Sequence, residues 1–210
     1  FSDGFEESTL GPIPKGWGTR ALYDIAAFVN GAAFKNEDFC DPSDGYPVIK
    51  IAELKNGITG QTKYSRKDVG ATREIVCGHV LYSWSGSPDT SLDAFRWTGP
   101  KGLLNQHIFH VLSPSRSDEV FAFYLLKHLR PTLIETARNK QTTGLGHVTV
   151  ADMQRLVVPS PPATVLQHFA LLAGSFYDLF FDREVESLGL AKTRDDLLPQ
   201  LLSGELSTRT

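Results

Sequence analysis

Ser160-Pro161-Pro162 is the part of this sequence that most resembles a catalytic signature. An enzyme that methylates an exocyclic amine uses an acidic or amide residue before two prolines, then an aromatic ring that stacks on the extruded base. Ala163 stands where that ring is needed, and no glycine-rich cofactor loop follows a strand upstream. The phosphate-cradling pattern G-x-x-x-x-G-K-[ST] and the serine elbow G-x-S-x-G are both missing. Ser85-Gly86-Ser87 is then a turn, and Gly144-Leu145-Gly146 a bare flexible loop. His107 and His110 sit three apart, but no carboxylate or cysteine lies at ligand spacing. A strand there would send them to opposite faces, so they read as structural. Cys40 and Cys77 are too few for a disulfide framework and read as reduced thiols. Trp17, Trp84 and Trp97 read as core or boundary residues.

Charge is the remaining chemistry. Residues 50–75 carry Lys50, Lys55, Lys63, Arg66, Lys67 and Arg73 against three acids. Residues 127–147 add Lys127, Arg130, Arg138 and Lys140 against Glu135. These two segments are either an ordinary solvated face or a phosphate-facing surface. The C-terminal stretch is acidic, and the whole chain of 210 residues carries −3. That balance argues against non-specific binding to nucleic acid. With 41% hydrophobic and 21% charged residues, the composition is that of a folded domain and excludes disorder. No apolar run is long enough to suggest a membrane span, and no basic-then-apolar leader reads as a signal peptide. The start at Phe1, with Met153 the only methionine, is that expected of a fragment or a chain with trimmed ends.

Three regions follow from the pattern: a leader or linker over 1–16, a globular domain over 17–159 and a helical region over 160–210. A helix is expected over 22–29, ending at Asn30-Gly31. Strands are expected over 46–51, 75–82, 95–97 and 103–112. A helix should open near Ser117-Asp118 and run to Leu129, with another starting at Pro131. Thr149-x-x-Asp152 reads as a capping box, and Val157-Val158 as a last strand before the prolines at 159, 161 and 162. Thr164-x-x-Gln167 then opens a long helix over 164–188, followed by a shorter one near 191–203. Heptads place Leu166, Phe169, Ala173, Phe176, Phe180, Leu190, Leu197 and Leu201 on one seam, interrupted by Arg183, Ser187 and Arg194. A helix so apolar needs a partner surface, either its own domain or another chain. The fold class is α+β: a mixed α/β domain followed by a long C-terminal helical dimerisation or spacer region.

The ordered motifs resemble a family. Ile13-Pro14-Lys15-Gly16-Trp17, Leu22-x-Asp24-Ile25-Ala26 and Asn30-Gly31-x-x-Phe34-Lys35 are similar to the opening of a target-recognition domain of type I restriction-modification specificity subunits. Tyr46-Pro47-Val48-Ile49-Lys50-Ile51, the run from Gly78 to Ser87 and Leu104-Asn105-Gln106-His107-Ile108-Phe109 continue the pattern. His147-Val148-Thr149 with Met153, the Val158–Pro162 boundary, and the ending from Arg194 to Leu206 complete it. The resemblance covers about residues 11 to 206.

It implies a cytoplasmic, non-catalytic subunit whose globular domain reads one half of a split sequence in double-stranded DNA. Its helix would dock modification subunits, which bind S-adenosylmethionine and methylate adenine; restriction subunits with motor and nuclease activity would complete the complex. No cofactor or metal is expected on this chain. A subunit of that family carries two recognition domains and two helical regions, so this chain resembles a half-subunit or a C-terminal half. A half-subunit would pair with a second copy through the helix. On that reading Lys35, Lys63, Arg66, Lys67, Arg73, Lys140, Gln141, Ser85 and Ser87 are the candidate DNA contacts, since phosphates need cations or N–H groups and base edges need polar side chains. Asn105-Gln106-His107, expected within a strand, is assigned to the fold. Two rival readings are a detached recognition portion of a single-chain restriction-methylation enzyme and a helical adaptor with no nucleic-acid role.

Overall fold

A computed structural model describes residues 4–140 and 145–205. Among these residues the helices are α1 (Ile51–Asn56), α2 (Pro88–Ser91), α3 (Arg116–His128), α4 (Arg130–Arg138), α5 (Val150–Arg155) and α6 (Ala163–Leu202).

The domain is layered around an antiparallel sheet in the order Asp93–Arg96, Val80–Ser83, Ile108–Leu112, Ala27–Asn30. Neighbouring side chains on a strand point to opposite faces, so each strand feeds two cores. Val80, Tyr82, Phe109 and Val111 join Phe28 on one face, where Val120, Leu126, Leu133 and Met153 from the helices cover them. Leu81 and Ile108 point the other way, into a second core with Ile49, Ile75, Trp97 and Leu104. That core belongs to a five-stranded sheet in the order Phe39–Cys40, Tyr64–Ser65, Tyr46–Ile49, Gly102–Leu104, Glu74–Ile75. Its one parallel pairing sets Leu103 beside Val48.

Helix ends follow the chemistry of their termini. The Ser115 hydroxyl accepts the Asp118 N–H at the start of α3, while Lys127 and His128 sit in its last turn, where the helix dipole favours positive charge. Thr149 and Asp152 form the reciprocal capping box that their spacing predicts.

The structure differs from the sequence reading in four places. Residues 22–29 are not a helix: a short 3-10 turn over Leu22–Asp24 gives way to the strand Ala27–Asn30. Pairing of that strand with Phe109–Leu112 overrides the local helical spacing. Residues 75–82 and 103–112 each break into two strands, the first at Gly78 with φ of 94°, the second at a turn through Gln106 and His107. The leader segment forms a hairpin, Phe5–Ser8 against Gly11–Pro14. Finally, α6 is one helix of 40 residues rather than two, about 60 Å long. It opens directly after Pro162 with no side-chain cap, so the box expected at Thr164 does not form. Gly189 is solvated within it, and Pro199 removes an N–H only in its final turns.

The strand Val157–Ser160 pairs antiparallel with Gly18–Ala21, so the proline boundary clasps the domain's first strand as α6 departs. The first turns of α6 lie on α3, with Leu166 and Tyr177 buried. Phe169 meets Phe121 and Tyr124 edge-on, at ring separations of 6.2 and 5.9 Å.

Candidate nucleic-acid interface

The segment leaving Asn30 holds the candidate surface together. Ala32 donates its N–H to the Leu104 carbonyl at 2.8 Å and accepts the Gln106 N–H at 2.9 Å. This close approach is why Gly31 is glycine. A Cβ there would lie 2.2 Å from the Asn105 carbonyl oxygen. The local pattern predicts a helix stop at Gly31; its role is backbone contact instead. Two of the expected DNA contacts stitch this segment down. Lys67 donates to the Ala33 carbonyl at 2.9 Å and to Asp38 at 2.8 Å. Arg73 donates to the carbonyls of Asn30 at 2.9 Å and Val69 at 3.1 Å. The Lys35 N–H, followed by the Lys67 ammonium, holds the Asp38 carboxyl below its usual range.

Lys35, Lys63 and Arg66 are more available. The Arg66 side chain is 70% exposed and its contact with Asp44 is long, 3.7 Å. Lys35 faces Glu37 at 3.8 Å. Exposed pairs of this kind hold their cations weakly. Lys63 is exposed and makes no ion pair among the described residues.

A cleft opens beside this surface. Ser85-Gly86 pairs with Gly146-His147, and Val148 donates to the Trp84 carbonyl at 2.9 Å. The Trp84 indole N–H donates to the Asn30 side chain at 3.1 Å. Asn30, Trp84, Ser85, His107 and His147 line a space of about 600 Å³ floored by Tyr23, Phe28 and Phe109. Gln106 and His107 are exposed at its rim, while Asn105 is buried and supports the fold. Asn30, Gln106, His107 and His147 therefore join the candidate surface, whereas the sequence assigns Gln106 and His107 to the fold and Asn30 to a helix end. The signal was the polar run Asn105-Gln106-His107, which marks a turn between strands rather than a strand. These groups offer donors and acceptors suited to base edges.

Ser87 is exposed at the start of α2, whereas Lys140 is committed to Asp152, meeting both carboxylate oxygens at 2.5 and 2.6 Å. Burial works to raise the Asp152 pKa, but the Lys140 ammonium and the Thr149 hydroxyl and N–H outweigh it and hold the carboxyl at about 2. Gln141 lies outside the described residues. His110 faces away from the cleft and stacks on His79 at 4.5 Å. No cluster of three or more His, Cys, Asp or Glu among the described residues is placed to hold a metal ion.

The heptad seam divides between two surfaces. Leu166 is buried on α3, and Phe169 and Ala173 are half-buried against the domain. Phe176, Phe180, Leu190, Leu197 and Leu201 are exposed. Phe176 and Phe180 edge an apolar groove of about 670 Å³ between α3 and α6, whose far wall includes Phe121, Tyr124 and Leu125.

These features define a mixed α/β domain with a polar, partly basic end and a long, largely uncovered helix. A family model described as the type I restriction modification DNA specificity domain matches residues 14–168. The chain belongs to that family. It is 22% identical over 202 residues to the type I restriction enzyme MjaIX specificity subunit of Methanocaldococcus jannaschii, covering 92% of this chain and 45% of that protein. Against the HindI specificity subunit of Haemophilus influenzae the identity is 23%, over 92% of this chain and 42% of the relative. The chain thus spans just under half the length of these relatives. Its fold is shared with the S subunit of a type I system from M. genitalium, with a TM-score of 0.56, 17% identity, and 91% of this chain and 47% of that one covered. The HsdS subunit of Thermoanaerobacter tengcongensis gives a TM-score of 0.55 at 16% identity, covering 98% of this chain and 49% of the other.

Proposed function

We propose that this chain is a sequence-specific DNA recognition subunit, or half of one, in a type I restriction-modification complex. The observation that carries the reading is the family match across the whole globular domain, residues 14–168. The domain reads one half of a split target through the end that carries Lys35, Lys63, Arg66 and the Trp84 cleft. Phosphates meet the exposed cations, and base edges meet Asn30, Ser85, Gln106, His107 and His147. Lys67 and Arg73 act mainly by holding the Asn30–Lys35 segment in place.

The chain itself carries out no chemical step. Modification subunits dock on α6 and hold S-adenosylmethionine, and restriction subunits complete the complex in the cytoplasm. No helix among the described residues is long and apolar enough to cross a membrane. The exposed stripe of Phe176, Phe180, Leu190, Leu197 and Leu201 supports a helical partner, because apolar surface of that extent needs cover. A second copy meets that need and supplies the second reading domain. A detached portion of a single-chain enzyme is the weaker reading, since the relatives are named specificity subunits.

Selection from random duplex DNA by the chain together with modification subunits tests this. A short enriched motif that requires this chain is the expected result. Enrichment that is unchanged when the chain is left out overturns the reading.

A further inference from the structure

We propose that Arg96 is the positioning residue that fixes the angle at which α6 leaves the globular domain. Its consequence for DNA rests on the function proposed above; the clamp itself does not. Arg96 stands on the edge strand Asp93–Arg96 of the central sheet, a rigid base. Its guanidinium lies between two rings of α6, 4.0 Å from the centre of Tyr177 and 3.9 Å from that of Phe181. It also donates to the Tyr177 carbonyl at 2.9 Å and meets Asp178 at 3.5 Å. With 11% of its side chain exposed, it holds these contacts in a desolvated setting, where stacking and charge are strongest.

A second set of contacts closes the same point from α3. Arg116 reaches Asp178 at 2.5 Å and lies 4.6 Å from the Tyr177 ring. The Tyr177 hydroxyl donates to Glu119 at 2.9 Å. Phe181, half-buried under Arg96, closes this cluster. From Asp182 to Leu202 nearly every residue is exposed. The clamp therefore sits at the exit point, and the rest of the helix is a lever.

Phe181 to Leu202 is about 32 Å at 1.5 Å per residue. A 10° change at the clamp moves the far end by about 5.6 Å, from the same rise per residue. One base pair occupies about 3.4 Å of DNA axis. An error of that size displaces whatever the helix carries by more than a base pair. Arg96 thus selects the separation between the two half-sites, while the polar end of the domain selects their sequence.

The test uses the full chain in two experiments. Spin labels are placed on the exposed Cys77 and at Leu198→Cys, with Cys40→Ser to keep the pair unique, and their separation is measured in the native background, in Arg96→Ala and in Phe181→Ala. The expected result is a distribution that shifts or broadens by about 4 Å or more in both variants, from the same lever arithmetic, with a smaller change in Arg96→Lys, which keeps the charge but loses the planar stack. Distributions unchanged in Phe181→Ala and Arg96→Ala overturn the clamp, and Phe181→Ala keeps the test open if Arg96→Ala misfolds. In cells that supply the modification subunits, methylated adenines are then mapped across the genome. The variants should keep both half-sites and accept spacers one or two base pairs away from the native one. A spacer unchanged while the labels move overturns the link from clamp to spacing. Absence of any split motif with the native chain overturns the proposed function, and the label distances still judge the clamp.

Discussion

Replacing Lys63 and Arg66 together with glutamine should flatten the salt dependence of DNA binding without unfolding the domain. Lys63 is exposed and forms no ion pair among the described residues, and Arg66 keeps only a 3.7 Å contact with Asp44. Exposed pairs contribute about 1 kcal/mol or less, so stability should change by about 0.5 kcal/mol at most. Each phosphate deprived of its cation takes about 0.9 off the slope of log affinity against log salt. Removing both cations takes off about 1.8. Between 50 and 200 mM salt, the native affinity should therefore fall about twelvefold more than that of the variant. Fluorescence anisotropy with a labelled duplex and the assembled modification complex, at four salt concentrations, measures both slopes. A folded variant whose slope equals the native one refutes the assignment of these cations to phosphates. Lys67→Gln is the contrasting case: it should lower the thermal midpoint, because its ammonium holds both Ala33 and Asp38.

Asp152 has a folded pKa of about 2 against an ordinary 3.8, so its ionised form contributes about 2 kcal/mol above pH 4 and loses it as the pH falls through 2. Urea unfolding of Asp152→Asn at pH 7 and at pH 2 should show that difference at the higher pH only. Burial lowers the pKa of both stacked histidines, His79 and His110, so stability should decline as pH drops below 6.5; a His110→Gln variant with an identical pH profile would contradict this. Gly31→Ala forces a Cβ onto the Asn105 carbonyl and should cost about 3 kcal/mol or prevent folding, read by circular dichroism during thermal melting. If α6 pairs two copies, light scattering should give a dimer whose dissociation shifts to higher concentration when Phe176 and Phe180 become serine; the same mass for both proteins would remove the seam from the account.

What could be read from the sequence divides along local and non-local lines. The capping box at Thr149 rests on a spacing of three residues, and the helices after Ser115 and Pro131 on short patterns of polarity. The box and the positions of α3 and α4 are legible for that reason. The strand Ala27–Asn30 was not, because its conformation comes from a partner about eighty residues away in sequence, Phe109–Leu112. The interface shows the same division. Basic segments were visible as composition, yet composition could not say that Lys67, Arg73 and Lys140 are occupied by Ala33, Asn30 and Asp152, contacts made across 12 to 43 residues. Nor could a single sequence show that the heptad seam is shared between α3 and solvent. That follows from how the first turns of the helix pack on α3, through Leu166 and Phe169.

Exchange of the globular domain is the most direct test of the central claim that residues 17–159 read one half-site. A chimera would carry the corresponding domain of a second specificity protein joined to α6 of this chain, and adenine methylation would be mapped genome-wide. One half of the modified motif should change to that of the donor while the complex still assembles. A motif that stays the same, or that follows α6 instead, would contradict it.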